Sequence, residues 1–310
     1  MATSGTSSFN LDLNELFEEA FERCGKQMRS GYDFRTARRS MNILTIEWLN
    51  RGINLWTVEQ DQIQLNTGQS IYALPLDTLD ILDAVTRQYN GQVVNQVDIN
   101  VTRISESTYA FIPNKNAYGR PLQMWVNRAT GNLSSIPQAT LASNIGATDN
   151  TITLSSAANL PSTGFVQIDS EIIAYQNIVG NQIINAWRGQ ANTTAVPHLS
   201  GASVYNNQLP CVNLWPTPNA PGNQYTFVYY RMRRMQDAGN GSTTQDIPFR
   251  WIPPMVAGMS YYLSMKLEDV DPTRIAALKA DYEQQFQFAA EEDREKATDR
   301  FVPRSLWYYR

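Results

Sequence analysis

The chain has 310 residues, 42% of them hydrophobic and 17% charged, with a net charge of -4. That length and apolar share suffice for the cores of two or three domains, while the sparse, slightly acidic charge excludes a molecule that wraps nucleic acid with its overall field. Any DNA contact must be local. The two cysteines, Cys24 and Cys211, exclude a disulfide framework and read as packed or idle thiols; without CxxC or Cys/His spacing the sequence predicts no metal and no cofactor. The opening MATSGTSSFN has no basic region followed by an apolar one, and no run approaches about 18 uninterrupted apolar residues. The expectation is a protein made and assembled in a cytoplasm, without membrane contact.

In LDLNELFEEAFERCG, residues Leu13, Leu16, Phe17, Ala20, Phe21 and Cys24 recur at the spacing of one helical face. Asp12 and Glu15 form a capping box and Gly25 ends the helix. Asp33 is predicted to cap a second helix running to Gly52, with Phe34, Ala37, Met41, Leu44 and Trp48 on its apolar face. Ile43, Ile46 and Leu49 widen that face to a second side, which places the helix between neighbours, in its own bundle or against another subunit. Arg35, Arg38 and Arg39 crowd one turn; they suit ion pairs with the acids of the first helix, or an anion or DNA contact.

From Leu55 the period changes to two. WTVEQDQIQL, SIYALPL, ILDAVTRQYN, YAFIP and LQMWVNR read as antiparallel strands, with Asn90-Gly91 as a hairpin turn. Between residues 133 and 208 the composition shifts to small, polar and β-branched residues, predicting an inserted small β domain. Its strands are TITLSSA, FVQIDSEIIAYQNIV, NQIINAWRGQ and GASVYNN, with Gly180-Asn181 turning the longest hairpin. CVNLWPTP and TFVYYRMRRM return to the parent sheet. Arg231 and Arg233 share one strand face, suited to a lumen or to ion pairs with a neighbouring subunit, and Arg234 takes the other.

Ile252, Met255, Val256, Met259, Leu263 and Leu267 predict a third helix opened by a proline pair. Asp271 and Pro272 start a fourth, with Ile275, Leu278, Tyr282, Phe286 and Ala289 on one face. The resulting fold class is α+β: an amphipathic helix bundle from residues 1–54 and 249–299, an antiparallel β region from 55–132 and 209–248, the insertion at 133–208, and an extended arm at 300–310. In the arm, DRFVPRSLWYYR, the rings and apolar side chains of Phe301, Leu306, Trp307, Tyr308 and Tyr309 are anchors of the kind that dominate interface energy, with Arg300, Arg304 and Arg310 as charged clamps.

Catalytic chemistry has little support in the residues. His198 stands alone in AVPHLSGA and reads as a packing residue. Asp169 and Glu171 sit two apart in a strand pattern and share a face, which solvent exposure explains. Aromatic residues reach 11%, with seven tryptophans. Tyr229 and Tyr230 point to opposite faces of a strand, and of this pair and of Tyr261 and Tyr262 one ring each is left for a partner.

The opening helix pair, NLWPTP before a strand ending in Tyr-Arg, and DIPFRWIPPMVAGMSYYLSMKL leading to DYEQQFQFAAEEDREKA resemble, in that order, the head-to-tail adaptor family of short-tailed bacteriophages, the tail tubular protein A type. The insertion is similar to a phage structural β module with an acidic ExIxY segment followed by RGQxGTxAxxH, in which Asn192 stands where the module usually has Gly. The resemblance implies a homo-oligomeric ring of about twelve subunits between the portal protein and the tail nozzle protein, with genomic DNA passing through its lumen without sequence-specific binding, tail fibre proteins as further partners, and the C-terminal arm docking on the portal or on a neighbouring subunit. A slightly acidic chain suits a conduit that passes DNA, since a dense cationic lining would hold phosphate. Two other readings stay open: a tail-associated cell-wall hydrolase using Asp169 or Glu171, and a glycan-binding tail or fibre protein whose exposed rings stack on sugars.

Overall fold

The computed structural model describes residues 5, 9, 11–52, 55–88, 96–129, 133–219 and 224–293. Its helices are α1 (Leu13–Arg23), α2 (Gly31–Arg51), α3 (Glu106–Ala110), α4 (Ile252–Ser264) and α5 (Pro272–Glu292). Its strands are β1 (Val58–Gln64), β2 (Ile71–Ala73), β3 (Thr78–Gln88), β4 (Val97–Asn100), β5 (Thr102–Arg103), β6 (Tyr118–Gly119), β7 (Gln123–Asn127), β8 (Ala139–Thr140), β9 (Ile152–Thr153), β10 (Gly164–Ile168), β11 (Glu171–Tyr175), β12 (Asn177–Val179), β13 (Gln182–Ile184), β14 (Trp187–Gln190), β15 (Ser203–Asn207), β16 (Cys211–Trp215), β17 (Thr217–Pro218) and β18 (Tyr225–Arg233). The protein is α+β, as the sequence predicts. One compact unit is drawn from Met1–Thr57 and Met235–Arg310, the other from Val58–Arg234.

In the helical unit, α1 carries the predicted capping box: Glu15 N–H donates to the Asp12 carboxylate and Asp12 N–H to Glu15. On α2 the cap is Ser30 and not Asp33. The Ser30 hydroxyl accepts from Asp33 N–H while the Asp33 carboxylate accepts from Ser30 N–H, so Asp33 is the third helical residue of a second capping box. Helix α4 stops at Ser264, leaving Leu267 beyond its end. The core gathers Leu13, Leu16, Phe17 and Phe21 of α1, Met41, Leu44 and Trp48 of α2, Trp251 to Leu263 around α4, and Tyr282 and Phe286 of α5. Trp48 and Trp251 lie 4.9 Å apart, and the indole N–H of Trp48 donates to the Tyr282 hydroxyl at 3.0 Å. Tyr261 and Tyr262 are both half-buried here. Adjacent helical positions differ by only about 100°, so both rings reach the core and neither is set aside for a partner.

In the β unit, β1-β18-β3-β4 form an antiparallel sheet. A second sheet runs β2-β16-β7-β5, antiparallel except at the β5/β7 edge. Tyr72, Ile81, Met124, Val212, Leu214, Phe227 and Tyr229 form the main core of this region. Tyr229 is buried and Tyr230 is 47% exposed, as strand alternation requires. The YAFIP segment is not a strand: Ser105 caps the single-turn helix α3 by accepting from Thr108 N–H. A short apolar run does not by itself distinguish the two conformations. The Asn90-Gly91 turn lies outside the described residues.

The inserted residues form a five-stranded sheet, β14-β11-β10-β15-β8, and a three-stranded one, β12-β13-β9. FVQIDSEIIAYQNIV is three strands and not one, because Asp169-Ser170 makes a two-residue turn closed by the pair Ile168↔Glu171. This β10/β11 hairpin is longer than the one turned by Gly180-Asn181. All of β11 is buried, through strand alternation between two cores. Ile173 and Tyr175 enter the module's own core, and Ile172 and Ala174 join Ile71, Ala73 and Cys211 in a second cluster.

Candidate functional site

The module's sequence pattern converges on one buried polar network. Arg188, on β14, makes a two-pronged ion pair with Glu171, Nε to Oε1 and Nη2 to Oε2, both at 2.7 Å. Gly189 N–H donates to the same carboxylate at 2.9 Å and Val196 N–H at 3.2 Å. His198 stands between two acids, Nε2 2.9 Å from Glu171 and Nδ1 2.7 Å from Asp169. The Arg188 guanidinium also donates to the carbonyl oxygens of Gly146 and Val196.

His198 is packed, as the sequence predicts, and the solvated strand face expected for Asp169 and Glu171 is overturned. His198 is buried against acids that the sequence around it does not contain. Glu171 has no exposed surface, and Asp169 sits in the turn with a φ of 52° instead of sharing a strand face. Burial alone would push the Glu171 carboxyl up, but the hydrogen bonds from Arg188, His198, Val196 and Gly189 outweigh it and hold the pKa down to about 2. Glu171 is thus a fixed anion with every lone pair engaged, which removes it as the acid or base of the hydrolase reading. Gly189 adopts φ 61°, and a Cβ there would lie 3.0 Å from the Thr193 carbonyl oxygen, so the motif's glycine is a steric requirement. Asn192 keeps the turn at φ 61°, a left-handed conformation that asparagine tolerates.

The predicted basic residues lie in both units. Arg231 is buried on β18 and pairs with Asp77 at 2.7 Å and Glu59 at 2.9 Å; Arg233, on the same face, reaches Glu59 at 2.6 Å. Their partners are in their own chain. Arg35, Arg38 and Arg39 donate instead to the Gly31 carbonyl, the Ala238 carbonyl and the Thr36 hydroxyl. Among the described residues none of the three pairs with an acid of α1. The arm residues Phe301, Arg304, Leu306, Trp307, Tyr308, Tyr309 and Arg310 lie outside the described residues. Both cysteines are buried and free, burial pushing Cys24 up to about 11 and Cys211 up to about 12, so neither is a reactive thiolate at neutral pH.

Two surfaces of the helical unit were legible in the sequence only in part. On α2 the outward stripe runs through Arg35, Arg39, Ile43 and Ile46, with Ile43 49% and Ile46 56% exposed, while Leu49 packs inward. Beside α1 a groove of about 460 Å³ is lined by Glu15, Glu18, Glu19 and Glu22 with Arg23, and by the apolar Leu11, Ile252 and Val256. No helix among the described residues is long and apolar enough to cross a membrane.

No curated protein matches the chain. A family model described as SU10 adaptor protein matches residues 112–305, well over half of the sequence, taking in the inserted module and the C-terminal helices. The match identifies a phage structural adaptor and does not single out the tail tubular protein A type. The chain belongs to the SU10 adaptor protein family.

Proposed function

We propose that the protein forms a closed ring of about twelve subunits between the portal and the tail nozzle, completing the channel through which the genome passes and supporting fibre attachment. The observation that carries this reading is the exposed stripe of α2. Two isoleucines three residues apart, each about half exposed, lie on the face opposite the one that builds the core. A pair of large aliphatic side chains on a helix is usually covered, and a ring supplies the cover because every subunit presents one face and receives another. Arg35 and Arg39 extend the stripe and give it a charge that a neighbour's acidic α1 complements.

The C-terminal arm is proposed to dock on the portal or on the neighbouring subunit. For the second seat, the groove beside α1 offers carboxylates to the arm's arginines and apolar side chains to its rings. Arg231 and Arg233 remain candidates for a lumen or subunit contact, with most of their charge already compensated within the chain.

Mass photometry and class-averaged electron images of the purified protein, alone and with portal, test the ring. A closed ring with a central channel is expected, and Ile43→Asp with Ile46→Asp should leave a folded monomer. Monomers from the unaltered chain under all conditions, or rings that persist in the double variant, would sink this account. Removing residues from Phe301 onward should leave a folded subunit that no longer joins heads; infectious particles assembled from the truncated chain would dispose of the docking arm.

A further inference from the structure

The β unit contains a cleft of about 710 Å³, within the size range of small-ligand sites. One wall comes from the parent β region, with Gly68, Asn116 and Tyr118; the other from the inserted module, with Asn177, Asn185 and Trp187. Gly68 has φ 84°, and a Cβ built on it would lie 3.9 Å from the Tyr118 hydroxyl and 4.0 Å from Cζ2 of Trp187. Two aromatic rings therefore converge over a floor that lacks a side chain. Tyr118 is 64% exposed.

The chemistry of the lining is narrow. It is built of amides, hydroxyls and aromatic rings, with no Asp, Glu, Lys or Arg among its described residues. Among the described residues, the side-chain amides of Asn116, Asn177 and Asn185 make no hydrogen bond within the chain. Each offers a donor and an acceptor. A phosphate or a nucleic acid backbone would find no cation here. An apolar peptide would leave the amides desolvated without partners.

A sugar ring meets both requirements, since its hydroxyls pair with amides in either sense and its C–H face lies on an aromatic ring. We propose that this cleft binds a neutral saccharide. The walls are held in place beforehand, which lowers the ordering cost of binding. Trp187 precedes Arg188, which the Glu171 pair fixes. Gln69 Nε2 donates to Gln190 Oε1 at 3.0 Å, and Gln176 is hydrogen-bonded to Ser70, tying the module to the parent region. The site depends on no property of the ring.

The test is an array of neutral and acidic glycans probed with the full-length protein, followed by titration of the best neutral glycan by isothermal calorimetry. Binding to neutral glycans is expected, weakened tenfold or more by Tyr118→Ala and by Asn177→Ala, and retained by Tyr118→Phe, which keeps the stacking ring. Tyr118 and Asn177 are exposed, so these variants should fold, and mass photometry should show their oligomeric state unchanged. Binding confined to acidic glycans, no binding to any neutral glycan, or neutral binding that survives both alanine variants would overturn the site, while the adaptor reading would stand or fall on the ring measurement alone.

Discussion

The helical unit and the inserted module keep their shapes with different materials. In the helical unit Trp48, Trp251, Tyr282 and Phe286 pack tilted or edge-on, neighbouring ring centroids lying 4.9 to 6.1 Å apart, and its buried hydrogen bonds join neutral groups such as Trp48 and Tyr282. The module has a core of short aliphatic side chains around Tyr175, and its most buried polar group, Glu171, holds the strand β14 and the loop to His198 together. Short strands joined by long loops bury little apolar surface per residue. A buried ion pair with its hydrogen bonds complete adds little net stability but makes any other loop arrangement costly. The module should therefore be the acid-sensitive part and the helical unit the packing-sensitive part.

Two substitutions of comparable size test that division. Trp48→Ala removes a fully buried indole and should cost about 3–5 kcal/mol in urea unfolding followed by near-ultraviolet circular dichroism. Glu171→Gln leaves the Arg188 guanidinium buried without its counter-charge and should also cost about 3–5 kcal/mol. Amide exchange locates the damage: losses at Ala174 and Gly189 are expected from Glu171→Gln, and losses along α2 and α4 from Trp48→Ala. Equal loss of protection everywhere from either change would erase the contrast.

Acid separates the two regions more sharply. The Glu171 carboxyl is held at about 2 against an ordinary 4.5. Its folded pKa is depressed, so its contribution is complete above pH 4.5 and is lost as the pH falls toward 2, about 3 kcal/mol in all. Stability measured across that window should fall in the unaltered protein and fall less in Glu171→Gln. Identical slopes would mean that the network does not govern the acid response.

Much of the helical unit could be read directly. Periodicity placed α1, α2, α4 and α5 because most apolar positions on those faces meet the same core, and local spacing is enough to reveal that. The network could not be read this way. Glu171 meets Arg188 and His198 across turns whose lengths carry no periodic signal, and the turn at Asp169-Ser170 was hidden inside a run that alternates like one strand. The module pattern contains Glu171, Arg188-Gly189 and His198 but carries no geometry. The saccharide cleft was equally illegible: Gly68, Tyr118 and Trp187 come from three separate segments.

A smaller test of the packing-sensitive region is Gly258 of α4, where a Cβ would lie 2.9 Å from both Leu44 Cδ2 and Tyr282 Cε2. Gly258→Ala should cost about 1–3 kcal/mol through overpacking, against the gain of up to about 1 kcal/mol that alanine brings to a helix interior. Thermal unfolding should show a net loss; a rise in the midpoint would mean that Leu44 and Tyr282 yield freely and that this contact is loose.

The smallest effect concerns the polar contacts of the helical unit. Ser30 caps α2 by accepting from Asp33 N–H at 3.2 Å, in an exposed position. Ser30→Ala should cost about 1 kcal/mol, and Asp33→Asn less, because an amide oxygen still accepts from Ser30 N–H. If polar contacts are secondary in this unit, both losses stay well below that of Glu171→Gln, since water replaces an exposed partner and cannot replace a buried one. A Ser30→Ala loss as large as that of Glu171→Gln would show that the start of α2 is held by its cap more than by Met41, Leu44 and Trp48, and the division between a packed unit and a stapled one would then rest on burial of the polar group alone.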